Sequence, residues 1–467
     1  MSGRQIRWYW GANRGVAVDE STPFVSPRTF LRILAGVYFI AFVSFAIQAM
    51  GLIGSHGILP AAEYLRAVRE AVGRAAYWDA PSIFWLGAGD TALKLGCAAG
   101  ALVSLLAMFG AWQRSLLAVC LVLWISICSV GQDFLSFQWD ILLSEAGFLA
   151  IFADESPTRV WLFRWLIFRL MFFSGAVKLL SHDSTWRDLT ALHYHYETQP
   201  LPTPLAWYAW QLPMSLQKLS TLLVFVVELG VPFLFFAPRR FRYIGAAITI
   251  GFQVLILLTG NYTFFNFLTI ALTMWLFIEP KKVPGTGHRV VSVALALFIG
   301  VLSGLLCLEL FSVEFPFAGG ELLARVAPFR IVNSYGLFAV MTTTRPEIVV
   351  EGSNDGETWL AYEFRYKPGD VRRAPAIIAP YQPRLDWQMW FAALGTYQQN
   401  RWFVNFLLRL MRNEPAVLRL LRYNPFPKAP PRYIRARLYL YHFTHRGERA
   451  WWTREEHGLY FPAVSLK

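Results

Sequence analysis

Between residues 29 and 311 the chain is a succession of long apolar stretches; beyond them it turns polar, aromatic and basic to its end. Coiled as a helix, about 20 apolar residues cover the roughly 30 Å hydrocarbon core of a bilayer. A helix also satisfies its own backbone hydrogen bonds where no water is present. The pattern therefore predicts an α-helical polytopic membrane bundle followed by a water-facing C-terminal domain.

Composition bears on one competing reading. The net charge of +13 raises nucleic acid as a partner. However, the Lys and Arg sit in loops beside apolar spans or scattered through the tail, where topology and solvation place them. Only 16% of residues are charged and mean hydropathy is +0.39, against ~25% charged in an ordinary soluble chain. The membrane is the expected partner, and no nucleic acid is.

About nine spans are read: residues 29–53, 94–112, 115–130, 135–153, 160–180, 216–236, 243–260, 264–278 and 290–311. Gly131-Gln132-Asp133-Phe134 leaves little room for a turn between the third and fourth. Arg4, Arg7, Arg14, Arg28 and Arg32 precede or open the first span. Arg114, the pair Arg159 and Arg164, the run Arg239, Arg240 and Arg242, and then Lys281, Lys282 and Arg289 fall in alternate connections. Basic residues mark the cytoplasmic side. An odd count then delivers the tail to the far side, a periplasm or an organelle lumen. The expected organisation is a polar cytoplasmic leader over 1–28, a transmembrane domain over 29–312 and an exported domain over 313–467. The leader is polar and the first span too long for an h-region, so no cleavable signal is read. Of the two long far-side segments, 55–90 contains an amphipathic stretch at 61–77. The other, 182–213, is rich in the His, Trp and Tyr of an interfacial segment.

Several ionisable groups lie where they are costly. The fourth span carries Asp140 and Glu145, with Asp133 at its mouth; the fifth carries Arg164, Arg169 and Lys178. Packed antiparallel, these spans neutralise each other, which is the first reading of this charge cluster. The alternative is a buried functional site on the same residues. Glu228 in the sixth span has no partner in its own helix, and Arg169 or Lys178 is within its choice. His193 and His195, with His182 and Asp183 nearby, are a zinc-like grouping. Their spacing is loose and no Cys accompanies them, so no metal is predicted. An acid–base role suits these histidines better.

No G-x-S-x-G, Walker, H-E-x-x-H or dinucleotide motif is present, and no cofactor is expected. Gly87-Ala88-Gly89-Asp90 reads as a turn opening the second span. Asn261-Tyr262-Thr263 is a glycosylation sequon in a tight loop. Cys97, Cys120, Cys128 and Cys307 all fall in predicted spans, so the exported domain has no thiol for a disulfide.

The tail reads as an α+β or β-sandwich-like soluble domain. Runs at 336–344 and 347–351 alternate like strands. Ser353-Asn354-Asp355-Gly356 has hairpin-turn chemistry, and 359–366 is the return strand. The run from Glu351 to Trp359 resembles a hairpin of galactose-binding-like β-sandwiches. Helices are expected at 385–394 and 402–412, and a strand at 433–444. Trp387, Trp390, Phe391, Trp402 and Phe403 are read first as core. Trp387, Trp390, Trp402 and Arg384 are also the candidates for client binding, if exposed.

Longer strings carry a family resemblance. Residues 134–148 (FLSFQWDILLSEAGF) and 164–178 (RWLIFRLMFFSGAVK), with Trp186 and 194–200, resemble the lipase maturation factor family. So do 333–338, 345–348, 351–353, 366–370 and 384–395 in the tail. The resemblance implies a multi-pass protein of the endoplasmic reticulum membrane that assists folding and assembly of secreted lipases. Its client would meet the C-terminal domain in the lumen. A bacterial relative would lie in the inner membrane and serve another exported client. The missing thiols argue against a disulfide relay. More distantly, Phe173–Lys178 with Trp186 is similar to vitamin K-dependent carboxylase-type membrane enzymes, which carry a lysine pair where this chain has Lys178-Leu179. That implies an alternative, an intramembrane enzyme acting on a lipid or quinone. Lys178 would be its base, Glu228 or Glu145 the partner, and His193 or His195 near the pocket mouth.

Overall fold

A computed structural model describes residues 25–110, 112–282, 285–314 and 317–466. Arg4, Arg7 and Arg14 of the expected leader lie outside the described residues. Nine helices stand at the nine expected spans: α1 Pro27–Ile53, α2 Asp90–Phe109, α3 Gln113–Val130, α4 Gln138–Ile151, α5 Pro157–Leu180, α6 Met214–Phe236, α7 Arg239–Thr259, α8 Phe265–Leu276 and α9 Thr286–Leu310. Local chemistry sets their ends. Ser26 caps α1, its Oγ accepting from Thr29 N at 3.2 Å, and Pro27 opens the first turn.

Seven of the nine are long and apolar enough to cross a bilayer, by length and composition; α4 and α8 are not. At 14 residues, α4 rises only ~21 Å. Part of its expected length goes into a tight turn over Gln132–Leu135. Both helices are buried inside the bundle. Apolarity alone does not separate a spanning helix from one packed among others, which explains the longer count read from the sequence. By contrast α2, α6, α7 and α9 present outward Leu102, Leu223, Leu255 and Leu297, as lipid-facing helices do.

Helix contact is close where glycine allows it. A Cβ on Gly100 of α2 would lie 2.4 Å from the Phe42 ring of α1. We expect Gly100→Val to destabilise the protein by about 1–3 kcal/mol through overpacking. Thermal unfolding in detergent reads this directly. Gly300→Ala, where a Cβ meets nothing within 4 Å, is expected to leave the midpoint unchanged.

The basic connections meet at one end of the bundle. Arg242 pairs with Glu279, Lys281 lies 2.8 Å from Glu155, and Arg159 reaches His288 at 3.0 Å. The tail packs at the other end, against the C-terminus of α1, the turn before α4 and the segment after α5. There a helix fills Ala61–Val72, within the stretch read as amphipathic.

The tail's centre is β1 (Arg345–Ser353). With β2 (Leu360–Ala361), β5 (Tyr433–Phe443) and β6 (Trp452–Ser465) it forms an antiparallel sheet in the order β2-β1-β5-β6. β3 (Glu363–Phe364) and β4 (Leu421–Tyr423) form a separate ribbon. The hairpin turn falls where expected, with Gly356 at φ +82°. Asp355 accepts from Glu357 N and Thr358 N, which holds its carboxyl well below the usual range. The return strand is shorter than expected because the chain leaves β1 after Ala361 to join β4. Residues 336–344 form no strand; they run into the bundle instead. The edge strand β6 carries no strand signal in the sequence, since its outward Arg454-Glu455-Glu456-His457 run breaks the alternation. The helices α10 (Arg384–Ala393) and α11 (Arg401–Met411) lie at the expected places. One apolar core continues from Phe30 in α1 through the bundle to Phe461 in β6.

Candidate functional site

The charges of the middle helices are partnered in two groups. The first lies where the tail meets the bundle. Arg384, opening α10, donates from both terminal nitrogens to Asp140 of α4, at 2.8 and 2.9 Å. Neither side chain is more than 1% exposed. Around them Gln48 of α1 bonds Gln382 O and Arg384 N, and Trp139 Nε1 donates to Gln382 Oε1 at 2.7 Å. Glu145, lower on α4, pairs with Arg169 of α5. Its Oε2 also accepts from Asn333 N (2.9 Å), Asn333 Nδ2 (3.0 Å) and Tyr335 OH (2.7 Å). Arg169 in turn donates to Asn333 O. Residues 330–338 thus enter the bundle as irregular backbone, tolerated there because the protein surrounds it. A Cβ on Gly336 would lie 2.9 Å from Val177, so only glycine allows this approach.

A further set of contacts joins the tail to the segment after α5. Arg345, at the start of β1, donates to Glu197 O and Pro200 O and lies 2.9 Å from Glu347, itself paired with Lys367. Glu197 accepts from Phe443 N. The signal was present in outline: 194–200, 345–348 and 366–370 are among the strings that carry the family resemblance. The sequon residue Asn261 is buried and bonds Ala376 O, Ile378 N and Ala379 N.

The second charge group lies in a cavity of about 650 Å³ between α5, α6 and α7, closed by residues of 186–196 and by Leu337 and Phe338. A π-helical turn at Val226–Gly230 carries Glu228. Lys178 Nζ donates to Glu228 Oε2 at 2.7 Å and to Ser174 O at 2.9 Å, and lies 5.3 Å from the Trp186 ring. His195 lines the same cavity. Burial first, then Lys178, pushes its pKa down to about 4, so the ring is neutral at pH 7. Tyr262 OH donates to Gln199 Oε1, which leaves the phenol oxygen to accept from His195 Nε2 at 3.1 Å.

The sequence candidates therefore separate. Lys178, Glu228 and His195 share the cavity. Glu145 is committed to Arg169 and the entering segment. His193 is not among the cavity's lining residues and stacks on Trp210. Of the expected pairing between the fourth and fifth spans, Glu145–Arg169 forms, but Asp140 turns to Arg384. Arg164 is met by Trp275 O and Ile278 O. Asp133 bonds through its backbone, its carbonyl accepting from Gln388, while burial raises its carboxyl pKa. Among the described residues no group of three or more His, Cys, Asp or Glu is placed to hold a metal.

The four client-binding candidates are interior. Trp387 packs edge-on to Trp139, Trp390 donates to Thr198 O at 2.8 Å, and Trp402 meets Phe134. Arg384 is consumed by Asp140. Each lies under about a tenth exposed and presents no outer surface. Helix α10 shows why: nine of its ten residues are buried, because it sits between the sheet and the bundle.

Comparison with known proteins gives concordant results. Residues 25–281 match the family described as lipase maturation factor transmembrane domain, and residues 331–462 match the lipase maturation factor C-terminal domain. Lipase maturation factor 2 of Gallus gallus is 37% identical over 94% of this chain and 81% of its own length. The Homo sapiens protein of that name is 37% identical over 94% and 82%. Lipase maturation factor 1 of Bos taurus is 35% identical over 97% and 91%. No solved structure matches.

Proposed function

The chain belongs to the lipase maturation factor family, and from that premise we propose that it matures secreted lipases or related exported proteins at the face its C-terminal region presents. It is a multi-pass, membrane-embedded maturation factor. Matches to both family domains, and similarity to a lipase maturation factor over 94% of the chain, carry this reading. The comparisons give the enzymatic alternative no support.

Residues 313–467 are assigned to the far side of the membrane: the lumen of the endoplasmic reticulum, or the periplasm if the membrane is a bacterial inner one. Basic connections at one end and the tail at the other support that orientation. Arg384, Trp387, Trp390 and Trp402 serve the function by fixing the C-terminal region to the bundle. Client contact falls to exposed side chains of the sheet and its loops.

Co-expression with a secreted lipase tests the proposal. We expect the activity of secreted lipase per unit mass to fall when this protein is withheld, with lipase synthesis unchanged. Equal specific activity with and without it, across a panel of lipases, would sink the assignment.

A further inference from the structure

We propose that the cavity between α5, α6 and α7 is a lateral binding site for a neutral membrane lipid whose head group is a hydroxyl, of the diacylglycerol or sterol class. This goes beyond the maturation role and needs no client.

Its position comes first. Leu223 of α6 and Ile248 and Leu255 of α7 line the cavity and are also exposed on the outside of the bundle. A residue that does both marks a mouth, and this mouth faces lipid. Gly251 lies between them on α7, and a Cβ there meets nothing within 4 Å. The volume, about 650 Å³, lies in the range of small-molecule sites.

The inner end selects the head group. Lys178 Nζ has three donors and uses two, on Glu228 Oε2 and Ser174 O. Glu228 Oε1 takes no hydrogen bond among the described residues. One acceptor and one donor on the same ligand atom complete the pair, and a hydroxyl supplies both. Charged heads fit poorly. Lys178 is the single cation among the lining residues, and Glu228 already neutralises it. A carboxylate or phosphate would face Glu228, and an ammonium would face Lys178. His195, held neutral, adds no charge. Glu228 is buried on the π turn, a local irregularity that recurs at functional sites. Leu337 and Phe338 belong to the segment that Glu145 holds, so an occupant touches bundle and tail together.

The test uses the full chain in phosphatidylcholine vesicles. Diazirine-bearing diacylglycerol, sterol and phosphatidylcholine are photolysed in parallel, and adducts are mapped by mass spectrometry. We expect adducts within residues 212–256 from a hydroxyl lipid, competed by its unlabelled parent; the probe that competes identifies the class. Gly251→Trp fills the mouth and is expected to reduce labelling by about tenfold, with elution and thermal midpoint unchanged. Lys178→Met with Glu228→Leu keeps the site apolar and is expected to abolish the preference for hydroxyl lipids over phosphatidylcholine. This double variant decides the matter if Gly251→Trp fails to fold. The proposal is overturned if phosphatidylcholine labels these helices as strongly as the hydroxyl probes, if neither hydroxyl probe labels them, or if the preference survives removal of the pair.

Discussion

Arg384→Met is expected to destabilise the protein by about 3–5 kcal/mol, the usual effect of leaving a buried charge without its counter-ion. Asp140 is fully buried, and Arg384 supplies both hydrogen bonds to its carboxylate. Without the guanidinium the carboxylate has no water to turn to. Arg384 also donates to Phe134 O at 2.5 Å, so the turn leading into α4 loses a donor too. A domain has only about 5–15 kcal/mol in total, so the loss is a large share. The measurement is thermal unfolding of the full chain in detergent, with limited proteolysis to locate the change. Cleavage should appear first around α10. Replacing both partners, Arg384→Met with Asp140→Leu, is expected to recover most of the loss, because an apolar pair removes the desolvation penalty as well as the attraction. A single variant as stable as the parent would show that Asp140 reaches solvent or another cation.

The second large effect is expected at Glu145. Glu145→Leu leaves Arg169, which is 0% exposed, with Asn333 O as its remaining acceptor. It also strips the acceptor from Asn333 N and Tyr335 OH, while Asn333 Nδ2 keeps Arg330 O at 2.9 Å. We expect another loss of about 3–5 kcal/mol, with a more local signature. Residues 330–338 should become the earliest protease target, and hydrogen exchange there should rise before it does in β1. Glu145→Gln keeps an acceptor for Tyr335 but not the charge, so it should be intermediate. Combining Glu145→Gln with Arg169→Met is expected to restore much of the stability. If residues 330–338 stay protected in Glu145→Leu, then Val177 packing on Gly336, not the carboxylate, holds the segment.

These two sites show how far the sequence could be read. Glu145 and Arg169 lie on consecutive helices joined by a short connection, so their meeting follows from antiparallel packing. Asp140 looked identical in the sequence, a carboxylate one turn away on the same helix. Its partner stands 244 residues further on, and no periodicity or spacing links the two. Trp387 and Trp390 are core, as the first reading has them, but the same distance effect hid that this core is shared with the bundle. Aromatic density in a polar tail is the same whether the rings face a client or a neighbouring bundle, and only packing distinguishes them. The sequence offers Lys178 or Arg169 as the partner of Glu228, and only the distant resemblance groups Lys178 and Glu228 with His193 or His195. That they share one cavity with His195 depends on the 186–196 segment packing back on α6, where Leu192 N meets Thr221 and Trp186 meets Phe225, and no local spacing encodes that return.

By itself the sequence determined the membrane class, the places of all nine helices, the α+β tail and the family. Each of these follows from local quantities: apolar run length, turn chemistry, basic connections and rare strings. The tertiary structure alone decided which helices are long enough to reach both faces and which stay inside. It also showed that the C-terminal region is bolted to the bundle by buried charge. The physical reason is that burial belongs to the folded whole. A charge in low dielectric must find its partner somewhere, but the chain records only the need.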